Sequence, residues 1–390
     1  MGKNERQAYL KAIRSRYRRA PRKSKAAILD EFCAVCDYHR KYAIKLLNQS
    51  GRPRTQRRAG RPATYASAAL LTALKRIWFA SDQMCSKKLK AALPLWLPFY
   101  DTAYEPLAAD VKLQLLGISP ATIDRLLKPV RAKATRKGLC GTRPGSLLKN
   151  QIPIRTHHWD ITQPGYLEAD TVAHCGNSLA GNFAWSLTLT DILTTWTEIR
   201  ATWNKGAAGV CDQIAAIEAQ LPFTLLGFDC DNGSEFLNHH LLRYFSGRPQ
   251  EVGFTRSRPY RKNDNAHVEQ KNWTHVRQLF GYDRIDDVTL IPLMNDLYAN
   301  EWSLYQNHFC PGMKLVDKQR VNARYTKTYD APKTPYQRLL DSGHITDEVQ
   351  THLRDIHQTL NPFILKQVIE TKLKRIFRQI RVTSNVRQRI

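Results

Sequence analysis

The sequence has 390 residues, of which 42% are hydrophobic, and a formal net charge of +26 at pH 7. This length allows about two to four domains and at least one sizeable hydrophobic core. No run of about 18 apolar residues occurs, and the N-terminal residues lack the apolar segment of a signal peptide, which argues against a membrane-spanning or secreted protein. Among the eight cysteines only Cys33 and Cys36 are closely spaced, and we interpret them as a structural thiol pair in a reducing cytoplasm, not as zinc ligands.

The positive charge lies outside the centre of the chain. Residues 165–290 contain 11 Lys and Arg against 15 Asp and Glu, whereas the other residues contain 49 against 19. Basic segments around an acidic centre suit a metal-dependent enzyme that acts on nucleic acid, because the flanks neutralise phosphates and the centre holds cations. A basic protein without such an activity is the simpler alternative.

Residues 1–50 show the pattern of three short helices, with the third expected to begin at Asp37 as its N-cap. A helix-turn-helix module that presents the third helix to a DNA groove is the favoured interpretation. The alternative is a basic helical bundle that contacts only phosphates. The residues expected to contact DNA here are Arg40, Lys41 and Lys45.

Residues 51–64 form a basic linker with two Gly-Arg-Pro triplets and no acidic residue. Arginine suits the narrow, electronegative minor groove of A·T-rich DNA, which favours an AT-hook-type arm. A plain flexible linker between helical modules is an equal alternative. In either case we expect phosphate contacts from Arg52, Arg54 and Arg61.

A second helical module is predicted at residues 65–135, followed by a basic connector at 136–164. Its strongest helix signal is Ser119 as N-cap with Pro120 in the first helical position. That helix is a candidate second recognition helix, and Arg125 and Arg131 are its expected DNA contacts. No acidic residue occurs between Arg125 and Trp159, so this stretch is expected to follow the DNA backbone.

The segment 165–288 alternates strand and helix patterns. Strands are expected at 165–172, 183–190, 195–202, 223–230 and 251–255, and helices at 206–220 and from Ser234 to Phe245. Asp170 lies near the middle of the first strand, and Asp231 follows the fourth strand at an Asn-Gly turn. Glu269, 38 positions after Asp231, lies in a further helix. Three carboxylates on two strands and one helix suit a pair of Mg²⁺ ions, which prefer oxygen ligands.

Over residues 165–288 the sequence resembles the retroviral-integrase-like core of bacterial insertion-sequence transposases, the D,D,E family. The resemblance rests on Asp170, on Asp231 in the string Asp-Asn-Gly-Ser-Glu-Phe, and on the interval to Glu269. It implies an RNase H-like core in which these three residues are both catalytic and metal-binding. It also implies two Mg²⁺ ions, with Mn²⁺ as a substitute, cleavage at the ends of an element, and attack of the freed 3′-hydroxyl on target DNA.

Several neighbours of these acids leave alternatives open. Asp229 would face the same way as Asp231, and we expect it to be structural or supporting. Glu168 would face the same way as Asp170, and we expect it to be exposed or supporting. Trp273 is expected to be a core anchor. Basic residues around the glutamate helix either bind phosphates beside the metals or form a solvated face; they are Arg256, Arg258, Arg261, Lys262, Lys271 and Arg277.

The predicted fold class is therefore α/β: an RNase H-like mixed five-stranded sheet with helices, preceded by all-α helix-turn-helix modules and followed by a helical basic region at 289–390. The predicted function is that of a cytoplasmic, nucleoid-associated DNA transposase. Its expected partners are the double-stranded DNA of element ends and target, bound by a dimer or higher assembly. A catalytically silent DNA-binding regulator and a ribonuclease H-type nuclease are the alternatives.

Overall fold

The computed structural model describes residues 2–49, 64–131, 161–231, 233–256, 266–321 and 324–387. The chain divides into two units, Met1–Thr64 and Tyr65–Ile390. In the first unit the described residues form α1 (Lys3–Arg19), α2 (Arg22–Cys36) and α3 (Arg40–Asn48). Ile13, Phe32 and Leu47, one from each helix, are buried together, so the small unit has a core of its own. The linker interpretation for residues 51–64 lies almost entirely outside the described residues.

The third helix begins at Arg40, not at Asp37 as the sequence predicts. Asp37 has a left-handed backbone with φ of 55°, and it ends α2 by donating its amide to the carbonyl of Cys33; His39 is the N-cap of α3. Aspartate tolerates the left-handed region better than most residues, so it can end a helix as well as begin one. Lys41 and Lys45 are exposed on α3, and Arg40 forms an ion pair with Asp30.

In the second unit, the first helices are α4 (Ala68–Ala80), α5 (Ser86–Trp96), α6 (Tyr100–Ala103), α7 (Ala109–Gly117) and α8 (Pro120–Arg131), with a 3₁₀ turn at Leu97–Phe99. The predicted start of α8 is confirmed, because Ser119 Oγ accepts a hydrogen bond of 3.2 Å from the Thr122 amide. Apolar side chains from α4, α5 and α8 belong to the same buried cluster as side chains from the C-terminal helices.

The central sheet contains β1 (Tyr166–Ala173), β2 (Ala184–Asp191), β3 (Thr197–Trp203), β4 (Gly227–Cys230) and β5 (Gly253–Arg256) in the order β3-β2-β1-β4-β5. Strands β1 to β3 pair antiparallel, whereas β4 and β5 join parallel to β1. Helix α9 (Ala207–Glu218) connects β3 to β4, and α10 (His239–Ser246) connects β4 to β5. This order and these directions are those of the RNase H-like fold, and the predicted mixed five-stranded sheet is confirmed.

The helix predicted from Ser234 begins five residues later, at His239. Asn238 is its N-cap, with Oδ1 accepting from the Leu241 amide at 3.0 Å. The intervening residues form turns in which Phe236 and Glu235 are fully buried. Local sequence favours a serine cap, but burying these two side chains requires a backbone that a regular helix from Ser234 does not provide.

After the sheet come α11 (Ala266–Lys271), a π-helical segment (Asn272–Arg277) and α12 (Gln278–Phe280). They are followed by α13 (Leu290–Leu297), a second π segment (Tyr298–Trp302), α14 (Ser303–Phe309), β6 (Leu315–Val321) and β7 (Arg324–Tyr329), then α15 (Pro335–Asp341), α16 (Asp347–Thr359) and α17 (Pro362–Arg387). The predicted helical C-terminal region is present, but the antiparallel pair β6–β7 interrupts it. The run Tyr-Thr-Lys-Thr-Tyr at 325–329 is rich in residues that favour β-strands, and it is the sequence feature from which β7 could have been predicted. No helix in the described part of the chain is long and apolar enough to span a bilayer.

The C-terminal helices pack on the sheet and on the first helices through polar as well as apolar contacts. Trp96 Nε1 donates to the carbonyl of Phe309 at 3.1 Å, and the Tyr305 hydroxyl donates to the carbonyl of Ala80 at 2.7 Å. Asn307 Nδ2 donates to the carbonyl of Thr197 at 3.0 Å, at the start of β3. These bonds join segments more than a hundred residues apart within this unit.

Buried histidines make the stability of this unit sensitive to acid. His174, directly after β1, is fully buried with Nε2 2.7 Å from Ser186 Oγ, and burial lowers its pKa from 6.5 to about 3. As the pH falls, His174 becomes protonated near pH 6.5 in the unfolded chain but only near pH 3 in the folded chain. The contribution of neutral His174 to the free energy of unfolding is therefore complete above pH 6.5 and falls by about 1.4 kcal/mol per pH unit as the pH drops toward 3. We expect a His174→Gln variant to lose less unfolding free energy than the parent protein between pH 7 and pH 5 in urea titrations. Equal losses would contradict the assignment.

Candidate active site

Asp170 lies on β1, and Asp231 directly follows the neighbouring strand β4. In the parallel ladder between β1 and β4, Ala169 pairs with Cys230, the last residue of β4. Asp170 and Asp231 each follow these paired residues by one position. Because adjacent strands are about 4.8 Å apart, the register places the two aspartates next to one another where the central strands end their pairing.

Asp170 is oriented by two hydrogen bonds. Oδ1 accepts from the Thr171 amide at 2.7 Å, and Oδ2 accepts from Asn272 Nδ2 at 2.6 Å. Asn272 begins the π-helical segment that continues α11, the helix that contains Glu269. The bond therefore fastens this helix to the middle of β1 at the candidate catalytic carboxylate.

Asp231 is held by the glycine two residues beyond it. Its Oδ1 accepts from the Gly233 amide at 2.8 Å. The Glu235 carboxylate lies directly against Gly233, so a Cβ at position 233 would displace it. Burial raises the pKa of the Asp231 carboxyl, and the nearby Glu235 raises it further. A cation at this turn would offset both penalties.

Glu235 is a site residue that the sequence analysis did not single out. It is 1% exposed, accepts from Thr171 Oγ1 at 3.1 Å, and forms an ion pair with Lys205. Thr171 is the residue after Asp170, so Glu235 connects the Asp231 turn to β1. The sequence signal for Glu235 was its place in the Asp-Asn-Gly-Ser-Glu string, but we interpreted this residue as part of the helix expected from Ser234.

Glu168 holds the start of α11 against the sheet. It is fully buried, and its Oε2 accepts from the Val268 amide at 3.0 Å. A carboxylate at the first turn of a helix also interacts favourably with the helix dipole. Val268 precedes Glu269, and Asn272 is three residues beyond it, so the backbone of Glu269 is held between two contacts to β1. The side chain of Glu269 lies outside the described atoms.

Asp229, the sequence competitor of Asp231, is buried within the sheet. It is 4% exposed, and its Oδ1 accepts from Thr255 Oγ1 on β5 at 2.6 Å. In the register of the ladder it lies opposite Glu168. Both residues therefore belong to the layer below the Asp170–Asp231 pair, in agreement with a supporting role.

The predicted DNA-binding residues of the second unit differ in their surroundings. Arg277 donates to the carbonyls of Ala173 and Gly281 at 3.0 and 3.3 Å, and Arg256 is buried at the end of β5. Arg125 donates to Thr122 Oγ1 at 2.9 Å, and Arg131 forms an ion pair with Asp124 on α8. The remaining predicted contacts lie outside the described residues: Arg52, Arg54, Arg61, Arg258, Arg261 and Lys262. Contact with DNA stays a prediction for all of them.

Lys271 and Trp273 also lie on the helix that follows Glu269. Lys271 is half-buried, and burial together with Lys88 lowers its pKa to about 7. Trp273 is 50% exposed, so the expectation that it anchors the core is wrong. Its outward direction follows from the π-helical turn, which changes the face on which successive side chains lie.

The donor set of this site fits a hard divalent cation. Asp170 on β1 and Asp231 directly after β4 offer carboxylate oxygens, and burial, together with the nearby Glu235, raises the pKa of the Asp231 carboxyl. Within the described residues no group of three or more His, Cys, Asp or Glu side chains is placed to hold a metal. A third ligand would have to come from the glutamate helix, where the Glu269 carboxylate is not among the described atoms.

The order and directions of the strands define an RNase H-like core. The chain is 39% identical, over 335 residues, to the uncharacterized protein y4rM of Sinorhizobium fredii (strain NBRC 101917 / NGR234), which covers 84% of this chain and 93% of that protein. The chain belongs to the same family as y4rM. No family model matches the sequence.

Solved structures with detectable similarity include retroviral integrases. The catalytic core domain of BIV integrase is 17% identical and covers 46% of this chain and 96% of its own, with a TM-score of 0.29. The cryo-EM structure of the simian T-cell lymphotropic virus intasome in complex with PP2A regulatory subunit B56 gamma is 13% identical. It covers 64% of this chain and 74% of its own, with a TM-score of 0.32. The fold assignment itself rests on the order and directions of the strands.

Proposed function

We propose that this protein is a DNA transposase of the D,D,E type. It would bind the ends of an insertion sequence, cleave a strand there, and transfer the freed 3′-hydroxyl to target DNA. The observation that best supports this function is the Asp170–Asp231 pair with the glutamate helix fastened beside it by the Val268–Glu168 and Asn272–Asp170 hydrogen bonds. The basic segments outside residues 165–290 supply the charge that DNA binding requires.

Asp170, Asp231 and Glu269 would hold two Mg²⁺ ions, or Mn²⁺ as a substitute, which supply activation of the attacking hydroxyl and stabilisation of the leaving oxygen. Asn272 keeps the Asp170 carboxylate in one orientation, and the Gly233 amide does the same for Asp231. Lys205 neutralises Glu235, so this buried acid supports the turn without adding a full uncompensated charge. No covalent protein intermediate is needed.

The activity can be tested with the DNA that flanks the gene. The full chain is incubated with labelled fragments of each flank and a target plasmid, in Mg²⁺, in Mn²⁺ or in EDTA. The proposal predicts strand cleavage at the element ends and joined products that require the metal. Binding without cleavage would instead support a catalytically silent regulator, and selective cleavage of RNA in RNA–DNA hybrids would support a ribonuclease H-type nuclease. Light scattering on the same complexes gives their molar mass, which tests whether the protein binds DNA as the expected dimer or higher assembly.

Replacing Asn272 with alanine is expected to lower cleavage by about 10- to 100-fold, as removal of a residue that orients a metal ligand usually does. The Mg²⁺ concentration for half-maximal cleavage should rise, because Asp170 loses the bond that orients it. Asn300→Ala is the matched control, since the Asn300 amide contacts only Asp296 on its own helical turn. An unchanged Mg²⁺ requirement in the Asn272 variant would contradict this role.

A further inference from the structure

A cleft of about 380 Å³ lies on another side of the glutamate helix from the candidate active site. It is lined by the segment Ser81–Cys85 and by side chains of α5, of α11 and of the π segment after it, among them Lys88, Lys271, Thr274 and His275. Lys271 is two residues beyond Glu269, which corresponds to about 200° around a helix. The cleft and the site around Asp170 therefore use different faces of the same helix.

Two lysines, Lys88 and Lys271, line this cleft. Within the part of the chain that the structure describes, neither ammonium group has a hydrogen bond or ion pair. The acid that lines the cleft, Asp82, is already engaged, because it forms an ion pair with Lys366, and its Oδ2 lies 3.0 Å from the Tyr305 hydroxyl. Like charges at close range in a partly desolvated cleft are unfavourable unless an anion joins them.

The backbone around the cleft is strained in the same place. Asp82, Gln83 and Thr195 all line it, and all have positive φ, of 52°, 59° and 62°. Positive φ is a true outlier for a β-branched residue such as Thr195. Residues held in such conformations concentrate at ligand-binding and switch sites, since the surrounding fold must supply the energy that keeps them there.

We propose that the cleft between Lys88 and Lys271 binds a phosphate group of the DNA backbone, behind the glutamate helix. This inference rests on the proposed function for its ligand, DNA, whereas the charge and shape of the cleft call for a phosphate from any source. Gln270, Thr274 and Gln278 line the same cleft and add polar groups that can bond phosphate oxygens. A phosphate held there would anchor DNA to both the first helices of this unit and the helix that contains Glu269.

The test measures DNA affinity in EDTA, where no cleavage can occur, for the full chain and for the Lys88→Gln/Lys271→Gln double variant. Loss of one phosphate contact should weaken binding by about 10-fold and reduce the slope of log K against log salt by about 1. The control is Lys87→Gln, which removes one positive charge from an exposed position on α5. Because the double variant removes two charges, the single variants Lys88→Gln and Lys271→Gln are compared with this control as well. Thermal unfolding of the double variant should show no loss of stability, because the substitution removes a repulsion.

Equal affinities and salt slopes for the double variant and the Lys87 control would overturn the proposal. A second arm titrates the parent chain and the double variant with inorganic phosphate and with a 5′-phosphorylated dinucleotide. Saturable binding of these probes that the double variant loses, with DNA affinity unchanged, would assign the cleft to a free phosphate and overturn the DNA assignment. If the parent chain binds no DNA at all, the proposed transposase function fails and the DNA assignment of the cleft fails with it. The phosphate titration then shows whether the cleft binds a phosphate group from another source.

Discussion

The Asp231→Asn variant is expected to lose metal-dependent cleavage and strand transfer by at least about 1,000-fold, because a direct metal ligand is replaced by a neutral amide while the shape of the turn is kept. The asparagine oxygen can still accept the Gly233 amide bond, so the fold should survive. Asp170→Asn should give the same loss, because the amide offers no charge to a cation and its single oxygen cannot replace both the oxygen that accepts from Thr171 and the one that accepts from Asn272. The measurement is the initial rate of end cleavage in Mg²⁺ at saturating DNA.

The matched control is Asp212→Asn, since Asp212 is an exposed acid on α9 in the same unit. It changes net charge by the same amount and should leave the rate unchanged. DNA affinity of the Asp231 variant in EDTA should equal or exceed that of the parent, because a negative charge near the strand is removed. A variant that still cleaves at a tenth of the parental rate would exclude Asp231 as a metal ligand, and Asp229 would then be the next acid to test.

The Glu198→Ala variant is expected to lose about 3–5 kcal/mol of unfolding free energy, which is the usual cost of leaving one member of a buried ion pair alone. Glu198 on β3 is 4% exposed and lies 3.5 Å from Arg200, which is 3% exposed. Its Oε1 also accepts from Trp196 Nε1 at 2.9 Å and from Ser303 Oγ at 2.6 Å. The alanine variant would break the polar connection between the sheet and α14 and leave a buried guanidinium uncompensated.

Glu198→Gln separates charge from hydrogen bonding in this network. Glu198 Oε1 accepts two hydrogen bonds that a glutamine oxygen can also accept, so glutamine keeps part of the contribution of this side chain. We therefore expect glutamine to cost less than alanine in urea unfolding followed by circular dichroism. Glu251→Ala, at an exposed position before β5, is the control and should change stability by less than about 0.5 kcal/mol. An alanine variant as stable as this control would show that Glu198 is not structural.

Strands and helix ends whose signals lie within a short segment of sequence were predicted well. The alternation in residues 183–190 and 195–202 predicted two strands, which the structure has at Ala184–Asp191 and Thr197–Trp203. Ser119 followed by Pro120 predicted the start of α8. The chemistry of the candidate site was also visible, because Asp170 and Asp231 each follow local strand signals. The prediction failed where two local signals compete. Asp37 could begin a helix or end one, and in the structure it ends α2. Ser234 could cap a helix, but in the structure Glu235 and Phe236 are buried in turns and the helix begins after Asn238.

The sequence by itself determined the order of strands and helices within residues 165–256, the segregation of charge, and the acids that could hold a cation, since these depend on residue types and short spacings. Only the tertiary structure decided how the glutamate helix is fastened to β1. Asn272 and Asp170 are 102 residues apart in the chain, and Val268 and Glu168 are 100 apart. Lys88 and Lys271, which line the same cleft, likewise come from elements that are distant in sequence. Such contacts depend on packing across the whole unit, because no local pattern records which buried side chain will meet which backbone group.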